Sequence, residues 1–217
     1  MKILLLGATG RTGKWVYQKS LERGYSIHCL ARNSERIEKY DQATLLEGDA
    51  SNPDDLATAI AGCNAVISVL NISRRSDFPW SALRTPKNFL SKTMGNLVPL
   101  AEKNKVNRII ICSAWGVSET VQDIPGWFKW LIQNSNIGVA YEDHNRQERI
   151  VSDSALNWTI VRPVGLTNSS KEQSVLESFD NHPKPSLTIS RKSVAGFLLD
   201  SLERDDLIKK KVVISKA

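Results

Sequence analysis

The stretch Met1-Lys2-Ile3-Leu4-Leu5-Leu6-Gly7-Ala8-Thr9-Gly10-Arg11-Thr12-Gly13-Lys14 restricts this chain more than any other. Ile3 to Leu6 is a short, wholly apolar run, the pattern of a strand covered on both faces of a parallel sheet. It stops at Gly7, glycine recurs at Gly10 and Gly13, and Lys14 to Leu21 has helical spacing. A strand therefore turns sharply into a helix. Glycines tolerate positive φ and let the backbone approach a ligand closely, while the free N–H groups and the dipole of the helix's first turn attract an anion. The simplest such anion is a pyrophosphate, ringed by Gly7, Thr9, Gly10, Arg11, Thr12 and Gly13.

The spacing is GxxGxxG rather than the GxGxxG of strict NAD-binding Rossmann domains, and either pattern alone is weak. Context strengthens it: an apolar strand before, a helix after, and a second strand, Ser26 to Ala31, that ends in Arg32-Asn33. Together these predict a dinucleotide site.

Further strands are expected over Ala43–Gly48, Ala65–Leu70, Val106–Cys112, Trp158–Arg162 and Val212–Ser215. Helices are expected after Pro53, over Asn88–Lys103 with an interruption or kink at Gly95 and Pro99, over Gly126–Ile132, Gly138–Asp153 and Arg191–Arg204, and as a short surface piece within Asn33–Gln42. The alternation predicts an α/β fold, a doubly wound and mainly parallel Rossmann-type sheet in one domain spanning 1–217. Ligands of such sheets bind beyond the carboxyl ends of the strands. Those ends are Gly7, Arg32, Asp49-Ala50, Val69-Leu70-Asn71, Ser113-Ala114 and Pro163-Val164, so one crevice is expected to gather them.

At 217 residues, with 41% hydrophobic and 24% charged residues, the chain suits a single globular core. The net charge of +6 comes from scattered basic residues, with no cluster that alternates with aromatics, so no nucleic-acid partner is expected. Lys209-Lys210-Lys211 reads as a solvated turn. Cys29, Cys63 and Cys112 stand far apart in or beside apolar runs and read as buried free thiols; no spacing suits a metal. No apolar run is long enough to span a membrane, and Met1-Lys2 leads straight into the first strand without a secretory leader, so a cytoplasmic protein with no membrane partner is expected.

Nicotinamide cofactors differ at the adenosine ribose, where a carboxylate suits the hydroxyl of NAD and an arginine suits the phosphate of NADP. Arg32 stands where the acid would be. Its planar fork can hold a phosphate, and Arg11 can add a second cation, so NADP(H) is expected in preference to NAD(H). Asp49 is placed to meet the adenine edge or, alternatively, to cap its own loop.

With the glycine turn, Arg32, Asp49, Ser113 and the run Trp158-Thr159-Ile160-Val161-Arg162-Pro163 in view, the chain resembles the NmrA-like, NAD(P)H-binding branch of the atypical short-chain dehydrogenase/reductases. Within that branch it is similar in size and pattern to the flavin reductase/biliverdin-IXβ reductase type, whose helix motif Asp143-His144 resembles. The resemblance implies that Ser113 and His144 border the nicotinamide, as catalytic residues, with Pro163-Val164 against it. On the helix, His144 and Glu148 share a face, so Glu148 is a candidate to orient the imidazole.

Ordinary members of that superfamily use a tyrosine with a lysine four residues on, which lowers the phenol pKa. The four tyrosines here, Tyr17, Tyr25, Tyr40 and Tyr141, are followed at that spacing by Leu21, Cys29, Thr44 and Asn145. The dyad is missing, which argues against alcohol, ketone or epimerase chemistry by that route.

The substrate side must come from loops 71–87, 115–136 and 164–186. Four of the six tryptophans, Trp80, Trp115, Trp127 and Trp130, fall in the first two. Flat indoles suit a small planar acceptor such as a flavin or quinone, and they equally suit burial or a protein contact. Two functions follow: an NADPH-dependent reductase of a planar acceptor, or a non-catalytic NADP(H)-sensing regulator of the NmrA type. Exposure of the apolar segment Trp127–Ile132 would favour a partner.

Overall fold

The computed structural model describes all of residues 1–217. The apolar run forms β1 (Lys2–Leu6), and from the glycine turn the chain enters α1 (Arg11–Glu22). β2 (Ser26–Ala31) and β3 (Ala43–Glu47) follow, then α2 (Pro53–Ile60), β4 (Ala65–Ser68), α3 (Phe89–Lys103) and β5 (Arg108–Cys112). The second half holds α4 (Gly126–Gln133), α5 (Ile137–Ser152), β6 (Asn157–Pro163), β7 (Gly165–Thr167), β8 (Val175–Ser178), β9 (Thr188–Ser190), α6 (Arg191–Asp200) and β10 (Lys210–Lys216). Eight strands make one sheet in the order β3-β2-β1-β4-β5-β6-β10-β8, parallel except for the edge strand β8; β7 and β9 pair separately. This is the doubly wound Rossmann arrangement, with its order reversing between β1 and β4.

Alternation along the strands assigns the two helical layers. Ile3 and Leu5 of β1 enter one apolar cluster with α1 and α6, whereas Leu4 and Leu6 enter the other with α2, α3 and α5. On β5 and β6, Ile110 and Val161 face the first layer, and Ile109, Ile111 and Ile160 face the second. A strand apolar on every residue is what two covered faces require.

Several expected elements differ. Only one 3-10 turn, Ser34–Arg36, forms between β2 and β3. Beyond it Ile37 is drawn into the core, and the Tyr17 hydroxyl donates to the Glu38 carbonyl at 2.7 Å, which spreads the segment over α1. α3 runs unbroken through Gly95 and Pro99, because both lie on its solvent side, where water can serve the carbonyl that proline leaves free. The 164–186 stretch is not simply loop: it supplies β7 and the antiparallel edge strand β8. Lys210 and Lys211 are not a turn but open β10, opposite Thr159 and Ile160. Cys29 and Cys63 are buried thiols, and Cys112 is half-buried.

Candidate functional site

The glycine turn is set by backbone contact. Gly7 has φ +94°, and a Cβ there would meet the Val69 carbonyl oxygen at 3.0 Å. At Gly13 a Cβ would stand 2.0 Å from the Gly7 oxygen, so this glycine lets α1 press against the turn rather than touching a ligand. α1 begins with no side-chain cap and no acid in its first turn. Its leading amides are left for an external acceptor.

The turn opens onto a crevice of ≈ 400 Å³ at the carboxyl ends of the strands. Gly7, Thr9, Gly10, Arg11 and Thr12 line it on one side, with Arg32 beyond β2, Ala50 beyond β3, and Val69, Leu70 and Asn71 beyond β4. Ser113 after β5 and His144 of α5 close its floor. The remaining expected positions do not line it. Gly13 packs α1, and Asn33 precedes the 3-10 turn. Asp49 binds its own loop, its carboxylate accepting from the Ser51 amide at 2.8 Å while its amide donates to Asp55. Ala114 is half-buried away from the crevice. Pro163 pairs with Ile214 inside the sheet, Val164 is in the core, and Leu166 takes the rim instead.

The site is strongly cationic. Arg74 and Arg191 join Arg11 and Arg32 along the crevice, against one carboxylate, Asp77. Arg11 holds Asp77 through two hydrogen bonds of 2.8 and 2.9 Å and keeps its carboxyl below the usual range, with smaller help from Arg191 and Arg74. Arg191 and Asp77 had no sequence signal beyond being charged: Arg191 opens α6, far along the chain, and reaches the crevice only through the fold.

At the floor, Ser113 continues the sheet ladder through its amide to Val161 at 2.7 Å, while its hydroxyl oxygen is buried with no partner in the protein. His144 does not use Glu148. Its Nδ1 meets the Gln147 amide nitrogen at 2.7 Å and its Nε2 lies 3.3 Å from Asn71 Oδ1. Burial lowers the imidazole pKa to about 4, so the ring is neutral near pH 7. Glu148 is committed to Arg162, with bonds of 3.0 and 2.5 Å, and Glu119 grips the same guanidinium. Asp143 holds the start of α3, accepting from the Leu90 amide at 2.7 Å and from the Ser91 hydroxyl at 2.5 Å. Tyr141 offers no acid–base chemistry: burial pushes its phenol up, and the hydroxyl donates to the Trp115 carbonyl at 3.2 Å.

An uncapped helix start, a glycine cradle that side chains would fill, guanidiniums around the mouth and an unpartnered hydroxyl at the floor fit a dinucleotide. The fold and site are those of a Rossmann-type dinucleotide-binding protein. The NAD(P)H-binding family model matches residues 7–205, and the chain belongs to that NmrA-like family.

Among curated relatives, the photosystem II assembly factor Ycf39 of Trieres chinensis is 26% identical over 185 residues, 84% of this chain and 51% of that protein. The chain spans about half the length of the first such relatives. Among solved structures, a short-chain dehydrogenase/reductase of Veillonella parvula in complex with NADP superposes with a TM-score of 0.81 at 18% identity, covering 99% of this chain and 94% of the other. ChuY, an anaerobillin reductase of Escherichia coli O157:H7, gives 0.80 at 17% identity, covering 100% and 97%. These likenesses concern the fold. No helix is long and apolar enough to cross a membrane.

Proposed function

We propose that this chain is an NADPH-dependent reductase of a small planar acceptor. The observation that carries this reading is the pair at the crevice floor: a buried Ser113 hydroxyl without a partner and a neutral His144, with no tyrosine–lysine dyad nearby. When bound, the reduced cofactor supplies the hydride. The chain contributes position. The first-turn amides of α1 receive the diphosphate, Arg32 favours the ribose phosphate of NADP over the hydroxyl of NAD, and Val69 and Leu70 form an apolar wall. Ser113 and His144 offer hydrogen bonds at the reacting end. His144 carries no spare proton near neutrality, so a proton required by the acceptor comes from water. NADPH consumption with FMN, a quinone and a tetrapyrrole offered in turn is the test; loss of nicotinamide absorbance with at least one supports turnover.

A second reading, an NADP(H)-sensing protein without turnover, is favoured by the exposure of Trp127 and Trp130 and by the similarity to proteins named as assembly factors. Tight NADPH binding with no consumption by any acceptor supports it.

A further inference from the structure

The crevice is flanked by an exposed aromatic face that the site does not use. Phe78, Trp80, Trp127 and Trp130 are 62%, 46%, 66% and 57% exposed, and none lines the crevice. They belong together. Phe78 and Trp80 rings lie 5.3 Å apart, and the Trp80 indole donates to the Asn134 carbonyl at 2.6 Å, at the carboxyl end of α4. Asn136 fastens the same loop through the Pro79 carbonyl at 3.1 Å.

α4 carries apolar side chains on its exposed face as well as on the one packed inward. Phe128 and Ile132 pack inward, while Trp127 and Trp130, one turn apart, are exposed, and Lys129 is exposed on the adjoining side of the helix. Monomers rarely leave such an area bare.

The charge around this face selects its occupant. Arg75, Arg84, Lys87 and Lys129 are exposed in the two segments that supply these aromatics, and the one carboxylate of those segments, Asp77, is paired with Arg11. Glu119 and Asp123, the nearest acids before α4, line a separate cavity with Arg162 and Lys209 to Lys211 instead. Indoles settle at the headgroup level of a bilayer, and flanking cations are drawn to anionic lipid.

We propose that this face docks the protein on an anionic lipid surface, lying on the bilayer without spanning it. Asp77 and Arg74 line the crevice and Phe78 follows directly, so docking sets the crevice mouth beside the membrane. The expectation of no membrane partner rested on the lack of a spanning run, and a surface-bound helix needs none. Docking does not require turnover, so it stands apart from the reductase reading.

The full chain is sedimented with phosphatidylcholine vesicles and with vesicles containing phosphatidylglycerol, at low and high salt, beside the double variant Trp127→Ser/Trp130→Ser and the single variant Lys129→Ala. Expected is binding to anionic vesicles only, weakened by salt, lowered about tenfold or more in the double variant and about fivefold in Lys129→Ala. NADPH affinity is expected unchanged in both variants, which shows that they fold. Absence of binding to anionic vesicles, equal binding by the double variant, or a tryptophan-dependent dimer in light scattering would overturn the proposal, the last by naming a second copy as the occupant. Vesicle binding without NADPH consumption removes the reductase reading and leaves docking intact.

Discussion

The Gln147 side-chain amide donates to His144 Nδ1 across 2.7 Å, and that contact decides what His144 is able to do. The same amide group faces the Cys112 carbonyl at 3.5 Å, an acceptor, so its N–H side is the one turned this way. With Nδ1 occupied as an acceptor, the ring proton sits on Nε2, toward Asn71 Oδ1. The imidazole is thereby a fixed neutral donor at the crevice floor rather than a proton carrier.

Its burial makes folding stability depend on pH. The folded pKa is lowered from 6.5 to about 4, so the unfolded chain takes up a proton at His144 before the folded chain does. The contribution is complete above about pH 6.5 and is lost as pH falls toward 4, with about 2 kcal/mol gone by about pH 5. Urea unfolding at the two ends of this window measures it. His144→Gln should flatten this part of the profile, leaving the acid loss from Glu119, whose carboxyl Arg162 holds down at about 2, at lower pH. An unchanged slope in the variant would show that the ring is not buried neutral.

Ser113→Ala separates stability from function. An unpaired buried hydroxyl costs about 1–3 kcal/mol, so deleting it should leave thermal stability equal or higher. If the hydroxyl is kept for a ligand, turnover or NADPH affinity should fall about tenfold at the same time. A variant that is destabilised with unchanged activity would mean that Ser113 has a partner in the folded protein.

Much of this was legible in the residues. The apolar strand, three glycines and following helix specify a local structure almost without outside help, and seven positions expected at strand ends, from Gly7 to Ser113, do line the crevice. What failed depends on competition in space. Helical spacing places Glu148 on the face of His144, but the Arg162 guanidinium projects from β6 into the same layer, and a buried carboxylate takes a full charge over a neutral ring. Pro163-Val164 end an apolar strand and read as a rim, yet β10 extends past them and draws them into the sheet. Arg191 and Asp77 meet Arg11 from distant segments, a relation no local pattern encodes.

Arg32 offers a test of cofactor choice. It is exposed at the end of β2 and lines the crevice, so nothing but ligand contact depends on it. Arg32→Ala should weaken NADPH by about 2 kcal/mol and barely change NADH. Calorimetry with both nucleotides reads the difference, and equal losses would return the two cofactors to parity.

Glycine substitutions grade the turn. At Gly13 the added methyl would lie 2.0 Å from the Gly7 oxygen, 2.7 Å from its carbonyl carbon and 2.9 Å from Ala8 Cα, all backbone atoms that cannot rotate aside. α1 must therefore move off the turn, carrying its uncapped amides away from the crevice. At Gly10 the nearest atom is the Gly7 oxygen at 3.2 Å, and φ is −77°, a value any residue adopts. Gly13→Ala should cost about 3 kcal/mol and Gly10→Ala about 1 kcal/mol. Thermal unfolding gives the ranking. Nucleotide affinity gives the sharper contrast, because displacement of α1 removes the diphosphate seat even where the sheet survives. A Gly13→Ala protein that binds NADPH as tightly as the parent would mean that the helix start is not the seat.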